Sequence, residues 1–245
     1  MLKNNSFLAI IPARGGSKRL ENKNVIDFAG KPLVSWTISS SIKSKYIDRT
    51  IVSTDSDLIK NIAIKFGAEV PFKRPDEYST DNSSREEVIS HVVDFLNKTK
   101  QESYDYIVYL QPTSPLRNEI DIDKAIEYLF EKKADALVSV CKLDHPIEWT
   151  GVLPLDRDMK EFINNIDLET RSQDFPERFR LNGAIYICKT NKFCESATVF
   201  LKENIFAYEM PRNVSIDIDE EIDFIIAETI FSNHSVSYTH LRAHE

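Results

Sequence analysis

The sequence predicts a three-layer α/β fold built on a doubly wound, mainly parallel sheet with helices on both faces. Three observations carry that prediction. Short apolar, β-branched runs alternate with stretches of helical periodicity along most of the chain. The alternation repeats as strand–helix–strand, the unit whose strands pair in parallel and whose helices cover the sheet. The chain has 245 residues, 42% of them hydrophobic, which suits one large domain with a continuous core.

The elements follow in order. Residues 6–13 read as a first strand. Residues 32–45 open with a proline, tolerated at a first helical turn, and read as a helix. Residues 48–54 are a strand, and 56–66 a helix with Ile59, Ile62, Ala63 and Phe66 on one face, closed by Gly67 as a C-terminal cap. A short strand at 69–72 leads into a polar loop. Helix 84–98 places Val88, Val92, Phe95 and Leu96 together, with Ser83 or Asn82 as its N-cap. Strand 104–110, helix 120–132 and strand 135–141 continue the rhythm. Residues 142–182 break it with three prolines, Trp149 and many charges, which predicts a small extension that packs on a partner subunit or covers the site. Strand 183–188, a strand near 204–209 and a helix over 219–231 complete a single domain spanning 1–231. The last segment, 232–245, loses apolar periodicity while holding His234, His240 and His244. It reads as a disordered or non-native tail rather than a metal site.

Composition excludes several classes of function. No run of 18 apolar residues exists to span a membrane. The N-terminal apolar run reads as a strand and not as a leader, because no small-residue cleavage site follows a longer apolar core. Cys141, Cys188 and Cys194 are odd in number and show no CxxC spacing, which predicts free thiols and a cytoplasmic location. A net charge of −8 argues against nucleic-acid binding but leaves room for a local basic pocket.

Such a pocket is written into the first loop, IIPARGGSKRLENKN, at residues 10–24. A loop after the first strand lies at the carboxyl edge of the sheet, where ligands bind in this architecture. Gly15 and Gly16 free the backbone to turn and to bring N–H groups near an anion. Arg14 offers a planar fork for phosphate oxygens, and Lys18 and Lys23 add point charges. Arg19 has a less defined role, and Lys31, before a helix-starting proline, reads as solvated. The stretch lacks both GxxxxGK[ST] and GxGxxG, so it is neither a P-loop nor a dinucleotide fingerprint.

Further along, Ser215-Ile216-Asp217-Ile218-Asp219 is an extended run whose alternation puts Asp217 and Asp219 on one side. Two adjacent carboxylates repel unless a cation lies between them, and Mg²⁺ (or Mn²⁺) takes carboxylate and phosphate oxygens. The alternative is that Asp219 caps the following helix. Gln111-Pro112-Thr113-Ser114-Pro115-Leu116-Arg117 makes a rigid loop at the end of the fourth strand. Arg171 and Arg180 suit a carboxylate by bidentate pairing, and Lys142 is either a substrate contact or a solvated lysine.

Ala13-Arg14-Gly15-Gly16-Ser17-Lys18 followed by Lys23-Asn24 resembles the signature of the sugar-activating cytidylyltransferases, and more specifically of the acylneuraminate cytidylyltransferases. The resemblance runs from about residue 7 to 230. It implies a nucleotide-diphospho-sugar transferase-like fold and a homodimer. It also implies an activity: joining CTP to a nine-carbon α-keto acid sugar such as sialic or legionaminic acid, releasing pyrophosphate. By resemblance, Arg14, Gly15, Gly16, Ser17, Lys18, Lys23, Asn24, Arg74, Ser83 and Ser84 serve the nucleotide. Gln111, Lys142, Arg171, Asn182 and Tyr186 serve the sugar, and Asp217 and Asp219 the metal. Arg171, Lys18, Lys23 and Asp217 are the implied catalytic set. The spacing from Arg171 to Phe179 is one residue longer than the family pattern. Three rivals stand beside this reading: an enzyme activating an eight-carbon keto acid (a KDO type), a non-catalytic nucleotide-binding regulator, and a glycosyltransferase. The GGSK loop and the long segment from Arg171 to Asn182-Gly183-Ala184-Ile185-Tyr186 favour the nine-carbon class. The acidic pair disfavours the regulator, and the absence of a mid-chain DxD disfavours the glycosyltransferase.

Overall fold

The structure, a computed structural model, describes residues 4–242, with side chains described as far as residue 233. Its centre is β1 (Phe7–Pro12), which is buried along nearly its whole length. β1 pairs in parallel with β4 (Arg49–Ser53) on one side and β5 (Tyr106–Tyr109) on the other. Beyond β5 come β7 (Phe179–Lys189), β6 (Ala136–Lys142) and β8 (Ile205–Glu209), giving the order β4-β1-β5-β7-β6-β8. β7 is antiparallel to both neighbours, and β8 is parallel to β6. A separate two-stranded ribbon joins β2 (Asp27–Phe28) to β3 (Lys31–Pro32).

The two-residue period of a strand sorts the core into layers. Phe7, Ala9 and Ile11 of β1 face α1 (Leu33–Lys43), α2 (Asp57–Lys65) and α4 (Glu119–Glu131), meeting Val34, Ile59 and Ile126. Leu8 and Ile10 face the opposite side, where α3 (Arg85–Phe95) supplies Ile89 and Val92 and α6 (Thr190–Ser196) supplies Phe193. Each such aliphatic or aromatic side chain contributes about 1.5–3 kcal/mol by leaving water. A third cluster holds α7 (Glu221–Arg242) against the ribbon, with Ala227 and Ile218 packed on Phe28 and Leu33. The three-layer, mainly parallel sheet is the one the sequence predicts.

Several local expectations give way to other physics. The strand expected at 69–72 is a single bridge from Glu69 to Ile51. Pro71 follows without an N–H to continue the ladder. Helix α3 is capped by Ser84, not by Ser83 or Asn82. Ser84 accepts from Glu87 N–H while the Glu87 carboxylate accepts from Ser84 N–H, a reciprocal box. Ser83 instead pairs with Thr80. The strand expected at 183–188 begins at Phe179, because residues 179–181 pair with the end of β6 across an irregularity at Val138/Val140. Between Lys142 and Leu181 no residue is buried, and from Leu143 to Arg178 the segment holds only α5 (Lys160–Asn164) and short 3₁₀ turns. At the other end, α7 runs to Arg242, past the boundary expected at 231. Its sequence has no Gly or Pro to stop it, and extending an existing helix is far easier than starting one. The side chains of His234 and His240, and all of His244, lie outside the described residues.

Candidate active site

A cavity of about 590 Å³ opens at the carboxyl edge of the sheet. The loop after β1 forms one side, the loop between α2 and α3 with the start of α3 a second, and the loop after β5 with the segment before α7 a third. β7 runs against its neighbours, so its beginning, not its end, reaches this edge. There Gly183 adopts φ +77°, and a Cβ at that position would sit 2.3 Å from Gln111 Oε1 and 3.4 Å from Asp217 Oδ2. Only glycine lets β7 pass between those two side chains.

The first loop supplies Arg14, Ser17, Lys18, Arg19, Lys23 and Asn24 to the cavity wall. Its cations are held by carboxylates of the protein itself. Arg14 bonds Asp81 at 2.7 Å and Lys18 pairs with the other oxygen of Asp81. These two cations hold the Asp81 carboxyl below the usual range. Lys23 bonds Asp219 at 2.7 Å, and Arg19 approaches its second oxygen at 3.1 Å. Burial opposes ionisation of Asp219, but these ion pairs outweigh it and lower its pKa. Asn24 is buried, donates to Arg14 C=O at 2.9 Å and keeps Oδ1 without a partner among the described residues. Gly15 and Gly16 do not line the cavity, and neither has positive φ. Gly15 matters for packing: a Cβ there would come within 3.1 Å of Ser56 Cβ. Lys31 lies elsewhere, over the Trp36 ring at 4.9 Å.

On the second side, Arg74 is buried and lines the cavity. Its guanidinium donates to Ser53 Oγ at 3.0 Å and to Ser53 C=O, tying it to the end of β4. Burial pushes its pKa down. Ser83 and Ser84 line the same wall. The free N–H groups of α3 and the helix dipole add positive potential there.

On the third side, Asp217 and Asp219 both face the cavity, while Ile218 between them is buried in the third apolar cluster. Alternation therefore does what the sequence suggested, and the Ile218 N–H bond to Thr113 C=O (2.8 Å) pins the run beside the 111–117 loop. Asp219 does not cap α7 with its side chain; Asp223 accepts from the N–H groups of Asp219 and Glu220 instead. Asp217 Oδ1 is buried with no hydrogen-bond partner among the described residues. Burial raises the Asp217 pKa, and the nearby Asp219 charge adds to this against Thr113, Lys23 and Arg180. An orphaned, desolvated carboxylate oxygen beside a second carboxylate fits a hard divalent cation. Among the described residues no cluster of three His, Cys, Asp or Glu forms a ready-made metal site, so the remaining ligands would be phosphate oxygens or water.

Not every residue singled out in the sequence reaches the cavity. Gln111 does. Asn182 is buried behind it, accepting from Ser139 Oγ at 2.5 Å and donating to Ser215 Oγ at 2.9 Å. That bridge locks the start of β7 to the run carrying Asp217. Tyr186 is buried beneath the wall. Lys142 is exposed and paired with Glu177, and Arg171 is exposed at the head of a 3₁₀ turn in the extension; neither lines the cavity. Sequence reasoning missed Asp81, Thr113 and Arg85, all of which line it. Asp81 lay within a loop read as polar turn, and Arg85 directly follows Ser84, the cap that the structure shows in place of the expected Ser83 or Asn82. A cation at a helix start was the available signal for Arg85, since that position ordinarily favours acids.

A family model described as Cytidylyltransferase matches residues 8–228. The chain belongs to the cytidylyltransferase family. It is 32% identical over 232 residues to the pseudaminic acid cytidylyltransferase of Campylobacter jejuni, covering 94% of this chain and 99% of that protein. It is 34% identical over 226 residues to the CMP-N,N'-diacetyllegionaminic acid synthase of Legionella pneumophila, covering 91% and 95%. In fold, this cytidylyltransferase is similar to a CMP:2-keto-3-deoxy-manno-octonic acid synthetase solved with CTP. That likeness has a TM-score of 0.67 at 15% identity and covers 94% of this chain and 99% of the other.

Proposed function

We propose that the protein joins CTP to a nine-carbon α-keto acid sugar of the sialic, legionaminic or pseudaminic type, giving a CMP-sugar and pyrophosphate. The observation that carries the reading is the meeting, in one cavity, of the cationic loop 14–24 and the orphaned carboxylate of Asp217. The names of the relatives supply the substrate class.

In this reading the triphosphate lies along the first loop. Arg14, Lys18 and Lys23 exchange Asp81 and Asp219 for phosphate oxygens and neutralise charge as pyrophosphate departs. Arg74, Ser83 and Ser84 line the nucleotide side, and the unfilled Asn24 acceptor takes a donor from the nucleotide. The anomeric hydroxyl of the sugar attacks the α-phosphorus, the bond to pyrophosphate breaks, and the hydroxyl proton passes to solvent or a phosphate oxygen. Gln111 and the Asn182-anchored start of β7 shape the acceptor side. Asp217 and Asp219 would hold Mg²⁺ (or Mn²⁺), which supplies charge neutralisation at phosphate and lowers the pKa of a bound hydroxyl.

The extension supports a second part of the proposal, a homodimer. Val152 and Leu155 are 91% and 106% exposed, and Ile147, Leu153 and Leu168 are also open to solvent. So many uncovered apolar side chains in one segment suit a protein interface.

The test mixes protein, CTP and Mg²⁺ with a panel of nonulosonates and follows pyrophosphate. Release with at least one of them is expected. Silence with all of them, while another nucleotide–sugar pair reacts, would reject the reading.

A further inference from the structure

Arg85 is the first residue of α3, and its side chain folds inward over three aromatic rings. Its Cζ lies 4.0 Å from the centroid of Tyr186, 5.0 Å from Phe200 and 5.7 Å from Tyr109. Stacking on this platform fixes the plane of the guanidinium before any ligand arrives.

The platform contrasts with what the guanidinium lacks. Nε is buried without a partner, and no described residue accepts a hydrogen bond from Arg85. Its nearest carboxylate, Glu86, is 3.9 Å away, too far for one. Arg14 and Lys18 share Asp81, Lys23 and Arg19 share Asp219, and Arg74 is bound to Ser53. Among the described residues, Arg85 is thus the cation of the cavity wall whose donors remain open. Its position at a helix N-terminus works against helix stability, and the aromatic stacking that holds it uses the face of the guanidinium, leaving the donors at its edge open.

Its place in the cavity narrows the ligand. β1 carries the first loop, and Arg74 is bonded back to the end of β4, whereas the Arg85 guanidinium is turned onto Tyr109 and Tyr186, paired residues of β5 and β7. Gln111 and Gly183 stand at the mouth of the same two strands. Arg85 therefore belongs to the acceptor side, two strands away from the triphosphate loop. The one anion that every acceptor of the proposed class carries is its C1 carboxylate, and a planar fork with free donors matches it.

We infer that Arg85, held flat by Tyr186 and Phe200, is the residue that binds the acceptor's carboxylate and makes the enzyme selective for sugar acids. The inference rests on the proposed function. It moves the carboxylate contact from Arg171, which stands outside the cavity, to a residue inside it.

The experiment pairs each variant with two acceptors: the nonulosonate that the wild-type protein turns over, and the C1 methyl ester of that sugar. Wild-type protein is expected to prefer the free acid strongly. In Arg85→Gln, KM for the acid should rise about tenfold to a hundredfold, with KM for CTP within about twofold. The preference over the ester should largely vanish, the signature of a coupled pair. Arg85→Lys should recover part of the preference, since it keeps charge without the fork. If Arg85→Gln keeps the preference while Arg171→Gln loses it, the carboxylate belongs to the extension and the inference is overturned. It is also overturned if Arg85→Gln raises KM for CTP instead. Absence of turnover by the wild-type protein with any nonulosonate would reject the proposed function and is a separate outcome.

Discussion

The cavity wall and the extension handle their difficult groups in opposite ways. Around the cavity, Arg14 and Lys18 share Asp81 while Arg19 and Lys23 share Asp219, so each cation has a partner within the chain although the four outnumber the two carboxylates. In the extension, between Lys142 and Leu181, no residue is buried, and Val152 and Leu155 are almost wholly exposed. One region turns its cations onto carboxylates of the same chain. The other leaves large apolar side chains in solvent. Charge is held by internal ion pairs, whereas uncovered apolar surface of this kind suits a protein neighbour.

The sharpest way to break this contrast is at Asp217, a cavity residue with one carboxylate oxygen left without a hydrogen-bond partner among the described residues. Asp217→Asn should lower turnover by roughly 10²–10³-fold with no loss of melting temperature. The sign follows from its raised pKa. A buried carboxyl with a raised pKa adds stability below the ordinary carboxylate range and loses it as pH rises through the raised value. At pH 7 the ionised form is a burden, so the neutral amide should leave stability equal or higher. A lower melting temperature at pH 7 would show that Asp217 is structural. Next in size is the extension. Val152→Asp with Leu155→Asp should weaken self-association by about 100-fold or more, measured by light scattering at micromolar protein, without unfolding the domain. A wild-type protein that is monomeric under the same conditions would remove the proposed interface. The smallest effect concerns the stand-in carboxylate. Asp81→Asn frees Arg14 and Lys18, so KM for CTP should fall by about twofold to fivefold at low ionic strength, and the gain should fade with added salt. A rise in KM would mean that Asp81 orders the loop instead of competing with the nucleotide.

Much of the molecule was legible from its residues. The unbroken apolar run from Phe7 to Ile11 reads as a strand, and the structure covers it on both faces, Phe7, Ala9 and Ile11 on one and Leu8 and Ile10 on the other. Asp217 and Asp219 share a side because an extended run repeats every two residues. The helix caps were less legible: Ser84 caps α3 in place of Ser83 or Asn82, and Asn118 caps α4 with no expectation placed on it. What stayed hidden were the direction of β7, the helical continuation of α7, and the platform under Arg85. Alternation reports which face of a strand is buried but carries no information about its direction. Arg85 meets Tyr109, Tyr186 and Phe200 only because β5 and β7 are neighbours in space.

The sequence by itself determined the α/β architecture, the cationic character of residues 14–24 and the acidic pair before α7, since each depends on residue types close together along the chain. The tertiary structure alone decided which cations are already paired, that Lys142 and Arg171 stand outside the cavity, and that Arg85 stands inside it. Those outcomes depend on contacts between segments far apart in sequence, such as Lys23 with Asp219 and Arg14 with Asp81. Coulomb attraction and burial act on distance through space, and only the folded chain sets that distance.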